Sequence, residues 1–333
     1  MECRTKNGEV NHQTRICVPI DTSHLPYFFT RLPVRTHKDK EEIHRFALEL
    51  IDATKEEDFK AHKHALYRYA FGPDMNIYSL SRCEADLDKI KLLIDFIELT
   101  WAHGEPLENA VAESERLCRA MYEEYDDEPV ADNGFGLRIR RFRDIRNRMK
   151  AIDSVGWVEV RDATEEWFHI DTKLKDFESL EEYLNIRKVH VGNKIMTSLM
   201  RWTMGVHLSE GELAFVEPYT DSIGVWLGLM NDYMSWKRER TQPTDRAMKS
   251  VHVVVNRYNF PEEASVDMVR DILVKQEGKV VDMSEELHGR TMLSTGMRMY
   301  IRNLEYYAGG MFYWHFLAPR YTKPQSFDPE RAD

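Results

Sequence analysis

The sequence predicts an all-α protein, and three observations carry that prediction. Apolar residues recur at helical spacing along most of the chain. No run shows the strict alternation of a strand. Connections between the periodic segments are short. Of the 333 residues 42% are hydrophobic, enough for a sizeable core. Lys and Arg number 46 against 57 Asp and Glu, a formal charge of −11. That balance argues against sequence-independent nucleic-acid binding, which needs cations to neutralise phosphates. No nucleic-acid partner is expected.

Residues 1–38 lack periodicity, carry Pro19, Pro26 and Pro33, and read as an irregular N-terminal arm. Residues 39–322 read as one helical domain, and 323–333 as a C-terminal tail. Segment 40–58 sets Ile43, Phe46, Ala47, Leu50 and Ile51 on one helix face. Segment 84–101 does the same with Leu87, Ile90, Leu93, Ile94 and Ile97. Further helices are predicted at about 106–125, 134–150, 157–173, 179–205, 210–240, 262–287 and 289–317. The total is about ten, too many for a simple four-helix bundle. No stretch reaches the roughly 18–20 apolar residues that cross a bilayer. The start, Met1-Glu2-Cys3-Arg4, lacks the apolar core of a signal peptide. Cys3, Cys17, Cys83 and Cys118 form no closely spaced pair, so a reducing, cytoplasmic location is expected.

Three constellations could carry chemistry. In Asn231-Asp232-Tyr233-Met234-Ser235-Trp236-Lys237-Arg238-Glu239, the side chains of Asn231, Ser235 and Glu239 share a stripe about 80° wide on a helix. Amide, hydroxyl and carboxylate oxygens are hard ligands that suit Mg²⁺. The same spacing also suits a solvated face. Asp95 and Glu98 lie one turn apart among apolar neighbours. Burying them calls for a metal, a cavity, or an Arg or Lys across a helix interface. Arg187, followed by Gly192, and Arg320-Tyr321 supply forks that can grip phosphate oxygens. Gly192 could break a helix beside Arg187. Acids on two helices, arginines facing them and an aromatic cavity below suit ionisation of an allylic diphosphate and control of a carbocation.

At this point the chain resembles the class I terpene cyclases of microbial and fungal type. Asn231 to Glu239 is similar to the family's metal motif, with Arg238 where Lys is usual. Arg187, 44 residues upstream, matches the diphosphate sensor. Arg320-Tyr321 matches the terminal Arg-Tyr pair, with Trp314 six residues earlier. Leu32-Pro33-Val34-Arg35-Thr36-His37 resembles the arm before the first helix, and the resemblance spans about residues 30–322. The aspartate-rich motif departs from pattern. Ile94 stands where one register has its first Asp, and the other register makes Asp95 the first residue and Phe96 the second. The second register, with Asp95 as metal ligand, is expected. Asp126-Asp127-Glu128, about 100 residues before Asn231, reads as a solvated loop.

The resemblance implies the class I terpenoid synthase fold, a bundle around a central apolar cavity. It implies three Mg²⁺ ions held by Asp95, Glu98, Asn231, Ser235 and Glu239. Arg187, Arg238, Arg320 and Tyr321 would bind the diphosphate of an isoprenyl substrate. Trp314, Phe96, Phe71 and Trp202 would line the cavity and stabilise cations. The expected reaction turns farnesyl diphosphate into a cyclic sesquiterpene. Geranylgeranyl diphosphate and a diterpene product are the alternative, as is a non-catalytic helical interaction protein. A chain-elongating synthase would need a second aspartate-rich motif near position 231. The length leaves no room for a fused prenyltransferase, so another enzyme is expected to supply the substrate. A homodimer is common in the family, but the sequence carries no interface signature.

Overall fold

The structure, a computed structural model, describes residues 17–54, 72–103, 110–169, 177–240 and 249–322. Among them two short strands precede thirteen helices. The strands are β1 (Cys17–Pro19) and β2 (Arg35–His37). The helices begin with α1 (Lys40–Ala53), α2 (Ile77–Ser81), α3 (Leu87–His103), α4 (Ala110–Ala120), α5 (Gly134–Ile152) and α6 (Ser154–Phe168). They continue with α7 (Leu180–His190), α8 (Asn193–Met204), α9 (Glu210–Glu239), α10 (Ser250–Tyr258), α11 (Glu262–Gly289), α12 (Thr295–Leu317) and α13 (Pro319–Thr322).

The arm is more ordered than its composition predicts. β1 and β2 pair antiparallel, Cys17 opposite His37, and Arg35 Nε donates to Cys17 Sγ at 3.0 Å. Three residues are too few to show a period of two. Phe28 then packs edge-on against Phe312 and Phe316 of α12. The helix predicted over 179–205 is two helices. Gly192 adopts φ 76°, a left-handed conformation that costs glycine little, and caps α8. Helix α10 went unread because its Val251, Val253 and Val254 are few and β-branched, a pattern shared with a buried strand. The helix predicted over 106–125 ends at Ala120, before a tight turn over Glu123–Tyr125.

Two helices make the heart of the bundle. Helix α9 opens with a capping box, Ser209 and Glu212 each bonding the other's backbone N–H. It buries Ile223, Trp226, Leu227, Leu229 and Met230 while packing on α7, α11 and α12. Helix α12 buries Tyr300, Ile301, Leu304 and Phe312 and packs on α2. Each large side chain so buried contributes about 1.5–3 kcal/mol. The bundle stands on this apolar set and leaves the polar end of α9 to be placed by other contacts.

Candidate active site

A cavity of about 300 Å³ opens between α2, α3, α6, α8, α9, α12 and α13. Ile77, Ile97, Met196, Leu227, Met230 and Met311 make its apolar walls. Trp167, Tyr307, Trp314 and Tyr321 add aromatic faces, and Asn231, His315 and Thr100 add polar atoms. Trp314 packs edge-on against Tyr321, ring centroids 5.7 Å apart. Gly192 lines the cavity at the α7–α8 break, so four residues singled out in the sequence, Gly192, Asn231, Trp314 and Tyr321, meet here.

Behind Asn231, the α9 wall is backed by a connected polar network. Arg187 Nη2 donates to Asn231 Oδ1 at 2.6 Å, and Arg187 Nε donates to Asp232 Oδ1 at 3.0 Å. Asp232 is fully buried. Its Oδ2 accepts from the Tyr183 hydroxyl at 2.5 Å and from the Ser250 backbone N–H at 2.9 Å. Tyr183 and Arg187 are four residues apart on α7, so one helix face staples both carboxylate oxygens. Burial and the Asp232 charge hold the Tyr183 phenol well above its ordinary range, so it stays a donor. Lys249 Nζ donates to Ser235 Oγ at 3.2 Å and stands 3.9 Å from Asp232. The Arg187 side chain fits because position 228 is glycine. A Cβ there would lie 2.8 Å from Arg187 Cγ.

Two histidines complete this wall. Arg187 Nη1 donates to His190 Nδ1 at 2.7 Å. Burial first, then Arg187 and Lys249, push His190 down to about 3, so its ring is neutral at ordinary pH. On α12, His315 faces Asn231 across the cavity, with Nε2 and Asn231 Nδ2 3.2 Å apart. Sequence reading missed Asp232, Tyr183, His190, Lys249, Gly228 and His315. The signals that could have found some of them were Asp232 inside the motif and His315 beside Trp314.

The α3 wall is different. Asp95 is buried but pairs with Arg141 of α5, and it is not among the residues lining the cavity. This is the interface-pairing alternative left open for a buried carboxylate. Burial raises the Asp95 carboxyl, with Arg141 opposing. Glu98 Oε1 accepts from the Tyr78 hydroxyl of α2 at 2.6 Å. Ile94 is fully buried. Ile97 and Thr100 line the cavity. At about 100° per residue they sit roughly 140–160° around the helix from Asp95.

Two cavity expectations are corrected by packing. Phe96 is buried against Phe142 and Trp157, centroids 5.3 and 6.1 Å away, in the α3–α5–α6 core. Trp202 is buried with Lys89 Nζ 5.2 Å from its ring centre, and it does not line the cavity. Both were aromatic and buried, but helix rotation turned them to other neighbours. Arg238 is half-buried near the end of α9. Phe71 lies outside the described residues, as do the side chains of Glu239 and Arg320. Asp126 sits in a turn and accepts two bonds from Arg146, at 2.9 and 2.7 Å. The segment is the exposed turn the sequence predicts, with Asp126 also held by Arg146.

The donor set can be tested for a divalent cation. Among the described residues no three His, Cys, Asp or Glu side chains gather as a metal cluster. The oxygens of Asn231 and Ser235 nonetheless share a stripe of α9, and each accepts from a cation, Arg187 or Lys249. Both are hard, neutral oxygens whose lone pairs already point at positive charge. Their chemistry fits Mg²⁺.

Helices closed around an apolar, aromatic cavity, with Asn231 at one wall and Arg187 bonded to it, define the class I terpenoid synthase architecture. The crystal structure of aristolochene synthase from Penicillium roqueforti superposes with a TM-score of 0.70, covering 90% of this chain and 100% of that one at 19% identity. The chain belongs to the terpene synthase family: the family model described as terpene synthase family 2, C-terminal metal binding, matches residues 95–278. That domain description implies dependence on a divalent metal. A bifunctional terpene synthase of Fusarium proliferatum is 24% identical over 318 residues, 91% of this chain and 42% of its own length. A sesterterpene synthase of Colletotrichum orbiculare is 24% identical over 228 residues, 65% of this chain and 32% of its own length. The chain thus spans less than half the length of these relatives. Among the described residues no helix is long and apolar enough to cross a membrane.

Proposed function

We propose that this chain ionises an allylic prenyl diphosphate and cyclises the resulting carbocation. One observation carries the reading: Asn231, which accepts from Arg187, lines a cavity whose other walls are apolar and aromatic. Asn231 and Ser235, with Glu239 two turns along from Asn231, would hold Mg²⁺. Three ions in all follow from the family resemblance; the α3 ligands it implies, Asp95 and Glu98, instead meet Arg141 and the Tyr78 hydroxyl. When bound, the ions supply Lewis-acid charge to the leaving diphosphate. Arg187, Arg238, Arg320 and Tyr321 would bind its oxygens, and a preorganised cation costs no reorganisation as charge develops. Ile77, Ile97, Met196 and Leu227 would exclude water from the cation. Trp314 would offer it an aromatic face.

Farnesyl diphosphate is the first substrate proposed. Geranylgeranyl diphosphate stands second, and the sesterterpene synthase among the relatives favours a chain longer still. The test incubates the purified chain with geranyl, farnesyl, geranylgeranyl and geranylfarnesyl diphosphates, with Mg²⁺ or with EDTA. A cyclic hydrocarbon from one substrate, lost with EDTA, is expected and names the chain length. Linear alcohols alone, or no turnover, would overturn the cyclase reading and favour a non-catalytic helical module. Asn231→Ala should abolish turnover with an unchanged circular dichroism spectrum.

A further inference from the structure

The amide of Asn231 has two ends of nearly equal shape, and only one can ligate a cation. Its oxygen is a hard ligand, whereas its NH₂ is a donor with no lone pair to offer. Which end faces Arg187 therefore decides whether this wall can hold a metal. Arg187 contributes to that choice by donating to Oδ1 at 2.6 Å. If Arg187 turns to a diphosphate, its hold on the oxygen weakens and a second determinant is needed.

That determinant lies on α12. His315 Nδ1 is 2.7 Å from the Met311 backbone carbonyl, one turn back on the same helix. A carbonyl only accepts, so Nδ1 carries the proton. In the neutral ring Nε2 is then an acceptor. It stands 3.2 Å from Asn231 Nδ2, where only the amide NH₂ satisfies it. The ring is held in place, being 3% exposed, stacked on Tyr321 with centroids 4.8 Å apart and set edge-on to Trp314. The polar chain thus has one direction throughout, from Arg187 to the Asn231 oxygen, and from the Asn231 nitrogen to His315 to the Met311 carbonyl.

We infer that His315 is a positioning residue that sets the Asn231 amide so that its oxygen is presented on the Arg187 side of the cavity. The inference rests on the reading of Asn231 as a metal ligand. Partners that orient a ligand typically matter 10- to 100-fold in metal affinity. His315→Phe keeps a flat ring against Tyr321 and removes the acceptor. His315→Gln keeps an acceptor oxygen.

The test titrates Mn²⁺ with inorganic pyrophosphate into the full chain and reads free Mn²⁺ by electron paramagnetic resonance. His315→Phe is expected to weaken Mn²⁺ binding by about tenfold. His315→Gln is expected to lie closer to the parent protein than to His315→Phe. Parent-like binding by a folded His315→Phe variant overturns the inference, provided Asn231→Ala loses Mn²⁺. If Asn231→Ala binds Mn²⁺ as the parent does, the metal reading itself has failed. A second readout is independent of metal binding. In ¹⁵N spectra the His315 ring, assigned by its loss in His315→Gln, should be the Nδ1–H tautomer. The Nε2–H tautomer would overturn the inference, because both Nε2 and Asn231 Nδ2 would then be donors.

Discussion

The α9 and α3 walls of the cavity each carry a pair of polar motif residues, and they treat them in opposite ways. On α9, Asn231 and Ser235 accept from cations, and the buried Asp232 anchors those cations through Arg187, Tyr183, Ser250 and the nearby Lys249. On α3, Asp95 pairs with Arg141 of a neighbouring helix and Glu98 accepts from the Tyr78 hydroxyl, while Ile97 and Thr100 line the cavity. One wall is organised to present oxygen donors. The other engages its carboxylates in holding helices together. The difference shows that two acids one turn apart on a helix do not make a metal site unless the helix turns that face inward.

The sharpest way to break this contrast is Asp232→Ala. Removing a buried charge that faces Arg187 and Lys249 should cost about 3–5 kcal/mol, read by chemical denaturation. A loss under about 1 kcal/mol would mean that the α9 network is not the anchor described. Gly228→Ala should cost about 1–3 kcal/mol, since its methyl would press on Arg187 at 2.8 Å. It should also lower turnover by displacing Arg187. Asp95→Asn is expected to cost only about 1 kcal/mol, because the side chain keeps an acceptor for Arg141. Its turnover should fall less than that of Asn231→Ala. A fall as deep as that of Asn231→Ala would return Asp95 to the metal site and erase the asymmetry of the walls.

A further expected effect is on pH dependence. His190 titrates near 3 in the folded protein against an ordinary value of 6.5. The unfolded chain therefore takes up a proton as pH falls below about 6.5, while the folded chain resists until about 3. Stability is fully present above 6.5 and declines across that window as pH falls. His190→Gln should remove this part of the decline, measured as melting temperature against pH. An unchanged acid slope would mean that burial, with Arg187 and Lys249, does not hold the His190 ring neutral.

Most of the helices were legible because an apolar stripe of period 3.6 is a local property of the chain. The α9 motif was legible for the same reason: Asn231, Ser235 and Glu239 share a face whatever surrounds them. The break at Gly192 was foreseen as a kink beside Arg187, though the two helices it separates read as one. The β1–β2 pair was not legible, because its residues are 16 or more apart in sequence and each strand has three residues. Phe96 and Trp202 were chosen as cavity residues from residue type alone, and type does not say which neighbour a buried ring meets.

By itself the sequence determined the helical class, the length and polarity of α9, the oxygen stripe on it, and Arg187 and Trp314 at family spacing. All of these follow from covalent order and helix geometry. Only the tertiary structure decided which side of each helix became cavity. It turned Asp95 to Arg141, joined Arg187 to both Asn231 and Asp232, opened space at Gly228 for that arginine, and brought His315 across from α12. Those outcomes depend on the rotation and approach of helices distant in sequence, fixed by the packing of the whole core, which no local pattern encodes.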